Sequence, residues 1–150
     1  MVVDRPRVQA LTMHNRVSRI VLVLASLVAV AIGLSLVVAP AAFEASAGIT
    51  FDGNPSALSE SRGAGGGLLA IGLLVALGGF EARYRRPALL LAGLAYLGYG
   101  LARALGILLD GMPALTLQLA MGVELAMGVA CLALLRTHAG ARASDQARVS

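Results

Sequence analysis

The stretch GYGLARALGILLDGMP, residues 98–113, lies between two long runs of alanine, leucine, glycine and valine. Such runs are typical of membrane-spanning helices, yet Arg103 lies several residues inside one of them, where a charge is costly. The corner Asp110-Gly111-Met112-Pro113 is so short that the helices on either side of it must be antiparallel neighbours. The stretch therefore predicts two adjacent helices in a membrane and a buried charge that needs a partner.

The composition of the chain also indicates a membrane protein. Its 150 residues are 58% hydrophobic and 13% charged, whereas soluble domains are about half apolar and a quarter charged. All 12 basic residues are arginine, which together with the abundant alanine, glycine and leucine suggests a bacterial protein, and we expect it in the inner membrane. The pI of about 10.2 does not indicate a nucleic-acid partner, because the arginines flank apolar runs and form no dense patch with aromatic residues.

Four segments of the chain are long and apolar enough to span a bilayer, which takes about 20 residues each. We expect helices at about 20–39, 63–80, 88–109 and 114–135, between tails at 1–19 and 136–150. The predicted fold class is all-α, an antiparallel bundle of four transmembrane helices. In the loop between the first two helices, Asp52-Gly53-Asn54-Pro55 predicts a turn, and another part of that loop is a candidate for a short interfacial helix.

The arginines predict the orientation of the bundle, because arginine-rich loops stay in the cytoplasm. Both tails and the loop between the second and third helices carry most of them, namely Arg5, Arg7, Arg16, Arg19, Arg83, Arg85, Arg86, Arg136, Arg142 and Arg148. We therefore expect both termini in the cytoplasm. A signal peptide cleaved near Ala39 is the alternative for the first segment, but its apolar run is longer than usual and Pro40 is awkward at such a site.

Charged and polar residues recur along one stripe of each of the last two predicted helices. On the third helix the stripe contains Tyr96, Tyr99, Arg103, Gly106 and Asp110, and on the fourth it contains Leu117, Met121, Glu124, Gly128 and Cys131. Arg103 lies about 10 Å and Glu124 about 16 Å below the outer surface, at about 1.5 Å per residue. Side chains lean toward a helix N-terminus, so the two heads converge. We predict an Arg103–Glu124 ion pair, with hydrogen bonds from Tyr96 or Tyr99.

The sequence leaves three interpretations of this pair open. Buried pairs often serve only to fix helix register and partnering. Alternatively, the pair is the polar floor of a ligand cavity, with Glu124 able to accept a proton. In the third interpretation, Arg103 extends outward toward the membrane surface or Asp110.

The second predicted helix is rich in glycine. Gly65, Gly72 and Gly79 recur every seven residues, and Gly72 with Ala76 forms a small-x-x-x-small pair, which lets two helix backbones approach closely. At the outer end of this helix, Arg62 is placed to reach Asp110 or a lipid phosphate. No strand precedes the glycines, so a nucleotide-binding loop is excluded.

The residue types that bind metals are sparse. His14 and His138 lie in the flanks, and Cys131 is the single cysteine, so no metal spacing and no internal disulfide is predicted. We expect no metal and no cofactor.

The blocks SRGAGGGLLAIGLL, GLARALGILLDGMP and ELAMGVACLALL resemble successive signature blocks of a bacterial family, the domain-of-unknown-function family numbered 4345. The resemblance covers about Leu34 to Leu135, with Ser61 where the pattern often differs. It places the family pattern on Arg62, Arg103, Asp110, Gly111, Pro113 and Glu124. It implies a small four-helix integral membrane protein and brings no known activity. A fainter likeness to DoxX-like four-helix proteins concerns the fold alone.

Three functions follow from the sequence as hypotheses. The first is a non-enzymatic accessory or structural protein in the lipid bilayer, in a larger membrane complex or a homo-oligomer that packs through the glycine face. The second is a small binder or proton-coupled carrier of a hydrophobic or cationic molecule, using Glu124. The third is a membrane enzyme acting on a lipid-like substrate, with Glu124 and Asp110 as acid and base. It is the weakest of the three, because no nucleophile, metal site or redox pair accompanies them.

Overall fold

The computed structural model describes the backbone of residues 5–149 and the side chains of residues 12–137. The expectations for Arg5, Arg7, His138, Arg142 and Arg148 concern side chains outside those described. Within the described backbone every regular element is helical, in the order α1 (Arg5–Val38), α2 (Pro40–Ala45), α3 (Pro55–Phe80), a 3₁₀ turn (Ala82–Tyr84), α4 (Arg85–Asp110) and α5 (Leu115–Val149). The helices α1, α3, α4 and α5 each contain a segment long and apolar enough to cross a membrane, which confirms the all-α, four-span fold class.

Helix α3 begins at Pro55 and not near Gly63. Its start is fixed by Asn54, whose side-chain oxygen accepts hydrogen bonds from the N–H groups of Ser56 at 3.0 Å and Ala57 at 3.4 Å. Pro55 occupies the first turn, where a missing N–H costs nothing. Hydropathy marks where a helix enters lipid, whereas the cap decides where it begins. The helix therefore begins about two turns before the apolar segment that the sequence predicts at 63–80.

Helix α1 packs chiefly against α3, and glycine makes their approach close. A methyl group added at Gly65 would lie 2.9 Å from the carbonyl oxygen of Gly33, and one at Gly72 would lie 2.9 Å from the backbone nitrogen of Val30. A methyl group at Gly79 would meet the Val23 side chain at 2.9 Å. The predicted glycine stripe therefore packs inside the chain, against α1.

Helices α4 and α5 form the second close pair. A methyl group added at Gly100 would lie 3.2 Å from the backbone nitrogen of Leu125, and one at Gly128 would lie 2.8 Å from that of Leu97. Because the two backbones are this close, side chains on the adjoining stripes of α4 and α5 are within reach of each other.

A core shared by all four spanning helices joins the two pairs. It is built from the buried residues Leu22, Ala25, Val75, Ala88, Leu89, Ala92, Tyr96 and Cys131. These residues lie in the arginine-rich half of the bundle. In the other half, no residue of 101–110 in α4 or 115–127 in α5 is buried. Among the described residues α1 contacts α4 across the bundle, whereas α3 and α5 do not touch. The half of α4 and α5 next to the corner at Gly111 is therefore the more open part of the fold.

Candidate functional site

Arg103 and Glu124 form an ion pair between α4 and α5. The Nε–H of Arg103 donates to both carboxylate oxygens of Glu124, at 3.0 Å and 3.2 Å. The side chain of Glu124 is 14% exposed and that of Arg103 is 32% exposed. The pair therefore buries the carboxylate and leaves part of the guanidinium accessible.

The two side chains meet because the helices run in opposite directions. Side chains lean toward the N-terminus of their own helix. Arg103 thus leans toward the arginine-rich end of the bundle, and Glu124 leans toward the corner at Gly111. The difference in depth between the two backbones is taken up by these opposite inclinations.

The ion pair faces the bundle interior. Arg103 follows Tyr96 by seven residues and Glu124 precedes Cys131 by seven residues, which is about two turns of helix in each case. Tyr96 is 8% exposed and Cys131 is fully buried, and both belong to the shared core. The pair therefore continues the inward stripes of α4 and α5 into the more open half of the fold.

Neither tyrosine contributes to the pair, so the expected hydrogen bonds from Tyr96 or Tyr99 were wrong. The hydroxyl of Tyr96 donates to the carbonyl oxygen of Ala25 in α1 at 2.6 Å. The small side chain of Ala25 lets the α1 backbone come within reach of the ring. Tyr99 is 41% exposed, and no hydrogen bond joins it to another described residue.

A cavity of about 200 Å³ lies beside the pair, between the parts of α4 and α5 next to the corner at Gly111. Its lining includes the polar side chains Arg103 and Asp110, and the apolar side chains Ile107, Leu117 and Met121. Glu124 is not part of the lining. Only the Nε of Arg103 is hydrogen-bonded to a described residue, so its two terminal amino groups keep their donors for whatever enters the cavity.

Asp110 and Arg62 do not form the contact that the sequence allowed. Arg62 instead donates from Nε to the carbonyl oxygen of Val37, at 3.2 Å. That carbonyl belongs to the last turn of α1, where helix carbonyls lack intrahelical partners and a cation is favourable. Arg62 therefore ties the beginning of α3 to the end of α1.

The structure adds a contact that sequence reasoning did not find. Ser61, which is buried, donates from its hydroxyl to the Glu44 carboxylate at 3.3 Å. This bond attaches the short helix α2 to α3. No local pattern signals it, because the two residues are far apart in the sequence and on different elements.

In the described part of the chain, no group of three or more His, Cys, Asp or Glu side chains is arranged to hold a metal ion. His14 contacts the hydroxyl of Thr137, 3.0 Å from its Nε2, and thereby links the early part of α1 to α5. Cys131 is a free thiol in the core.

Comparison with known proteins gives one family. The family model described as Domain of unknown function (DUF4345) matches residues 17–135, a range that contains the ion pair, the cavity beside it and most of each of the four apolar segments. No curated protein and no solved structure matches the chain, and the likeness to DoxX-like proteins is not shown.

Proposed function

Since the chain belongs to the domain-of-unknown-function family DUF4345, we propose its function from the geometry: it is a non-enzymatic, multi-pass membrane protein that binds the polar group of a hydrophobic molecule at Arg103. The observation that carries the proposal is that the nitrogen atoms of one guanidinium differ in their partners. Its Nε–H is held by Glu124, its terminal amino groups have no hydrogen-bond partner among the described residues, and the side chain lines the cavity.

The size of the cavity favours a polar head and not a whole ligand. Pockets that enclose a small molecule measure about 300–1,000 Å³, and this cavity measures about 200 Å³. The apolar remainder of the molecule would then lie against the apolar lining residues Leu117 and Met121 or in the surrounding lipid. Arg103 supplies only donors, so the bound group must accept hydrogen bonds, as a carboxylate, carbonyl or hydroxyl does.

The positions of the acidic residues argue against the carrier and enzyme hypotheses. Both oxygens of Glu124 accept from Arg103, and Glu124 does not line the cavity, so it acts as the counter-ion that holds the arginine in position. Asp110 lines the cavity, about 10 Å along α4 from Arg103 at about 1.5 Å per residue. Glu124 and Asp110 therefore do not converge on one reacting group.

The accessory-subunit hypothesis loses its proposed surface, because Gly65, Gly72 and Gly79 of α3 are covered by α1. A purely structural pair remains the second candidate, since the bond between Arg103 and Glu124 joins α4 to α5 and could serve only to fix their register. For location we propose the inner membrane of a bacterium, with the cavity opening away from the cytoplasm.

A series of ligands with one hydrocarbon chain and different heads tests the proposal. We expect the purified protein in detergent to bind oleic acid and oleyl alcohol, and to bind neither octadecene nor oleylamine. The variant Arg103→Met/Glu124→Leu removes the donors without leaving an unpaired charge. Its affinity for oleic acid should fall about 10- to 100-fold, the equivalent of a charged hydrogen bond. Native mass spectrometry measures the binding, and unchanged affinity in the double variant would leave only the structural role.

A further inference from the structure

Another cavity, of about 400 Å³, lies at the arginine-rich end of the bundle. Its lining consists of Arg86, Pro87 and Leu90 at the beginning of α4, and of Leu135 and Arg136 in α5. Both charged side chains of the lining are arginines. The cavity thus combines two positive charges with an apolar wall.

The two arginines of this cavity differ from their neighbours in having no partner among the described residues. Arg85 donates from Nη1 to the side-chain oxygen of Asn15 at 3.4 Å. Arg83 stacks over the ring of Tyr84, with its guanidinium carbon 4.5 Å from the ring centre. By contrast, no hydrogen bond or ion pair joins Arg86 or Arg136 to a described residue. Two like charges that share one cavity at the edge of an apolar region repel each other unless an anion lies between them.

The cavity lies where an apolar segment ends. Arg86 directly precedes the apolar run of α4, and Arg136 directly follows the apolar run of α5 that ends at Leu135, so we place both side chains at the depth of lipid headgroups. Leu90 is 45% exposed and forms part of the apolar lining of the same cavity. No side chain caps the start of α4, and the positive end of the helix dipole adds to the attraction for an anion.

We propose that Arg86 and Arg136 bind the phosphate group of an anionic phospholipid, whose acyl chain lies against Leu90 and Leu135. A phosphate presents several acceptor oxygens to the guanidinium groups, and basic pockets between helices at a membrane surface are suited to such headgroups. The apolar wall favours a lipid over free phosphate, because inorganic phosphate has nothing to place against leucine. This site is separate from the cavity at Arg103 and does not depend on its function.

The experiment uses the full chain in detergent and native mass spectrometry. Phosphatidylglycerol and phosphatidylcholine with identical acyl chains are added separately, and inorganic phosphate is added in a third arm. We expect phosphatidylglycerol to bind at least tenfold more tightly than phosphatidylcholine, and millimolar phosphate not to displace it. Equal binding of the two lipids overturns the proposal. Full displacement of phosphatidylglycerol by inorganic phosphate would show that the site binds phosphate and not a lipid.

Matched charge variants test the position of the site. Arg86→Gln/Arg136→Gln should lower the affinity for phosphatidylglycerol about tenfold or more. Arg83→Gln/Arg16→Gln removes the same charge from the same end of the bundle and should change the affinity less than about twofold. Equal losses of affinity in the two variants would mean that phosphatidylglycerol is attracted by positive charge in general, and would refute the site. The comparison of lipids on the unaltered chain does not depend on whether either variant folds.

Discussion

Tyr96 in α4 donates a hydrogen bond to the carbonyl oxygen of Ala25 in α1, at a distance of 2.6 Å between the two oxygens. The bond crosses the bundle from one close helix pair to the other, inside the core that they share. It lies about two turns from Arg103 on the same face of α4. Tyr96 therefore lies at the boundary between the well-packed half of the bundle and the more open half.

Removing the Tyr96 hydroxyl should destabilise the bundle modestly. We expect Tyr96→Phe to lower the free energy of unfolding by about 1 kcal/mol, the usual net value of one hydrogen bond. Tyr99→Phe is the matched control, because Tyr99 is 41% exposed and should change stability by less than about 0.5 kcal/mol. Thermal unfolding in detergent followed by circular dichroism measures both. Equal effects of the two substitutions would contradict a role for the bond to Ala25.

The ion pair should give a strongly non-additive mutant cycle. Arg103→Met leaves Glu124 without its counter-ion inside the bundle, which costs about 3–5 kcal/mol when one partner of a buried pair is removed. Glu124→Leu leaves the arginine unpaired, and the loss should be smaller because Arg103 is 32% exposed. The double variant should regain most of the stability. Losses that simply add in the double variant would show that the two charges are not coupled.

Two glycines of α3 should respond in opposite ways to alanine. Gly72→Ala places a methyl group 2.9 Å from the backbone of Val30, so α1 and α3 must separate, at a cost of about 1–3 kcal/mol. At Gly67 nothing lies within 4 Å of the added methyl group. Gly67→Ala should be neutral or stabilising by up to about 1 kcal/mol, because alanine is the better helix former. Unfolding in detergent again measures the difference, and a destabilised Gly67→Ala would refute the assignment of the close face.

The orientation of the bundle is tested with reporters. Because arginine-rich segments remain in the cytoplasm, green fluorescent protein fused after Ser150 should fluoresce. Alkaline phosphatase at the same position should be inactive. The same enzyme inserted after Gly53 should be active, since that loop lies at the opposite end of the bundle from Arg86. Activity of the phosphatase after Ser150 would reverse the predicted orientation.

The sequence by itself determined the helical class, the number of spanning segments and the stripe on which Arg103 and Glu124 lie. Hydropathy and the 3.6-residue period are properties of one segment at a time, and a charge in lipid is costly enough to demand a partner. With the opposite directions of α4 and α5 fixed by the corner at Gly111, the Arg103–Glu124 contact followed.

Only the tertiary structure decided which groups the remaining polar residues meet. Tyr96 donates a hydrogen bond to the α1 backbone, Arg62 donates one to Val37, and Ser61 donates one to Glu44. Each of these contacts joins helices that no short corner aligns, so their relative rotation and distance decide the partner. The same packing placed α1 over Gly65, Gly72 and Gly79 of α3 and left Arg103 beside a cavity. Neither outcome is encoded in the period or hydropathy of a single helix, because both depend on how side chains of different helices fit together.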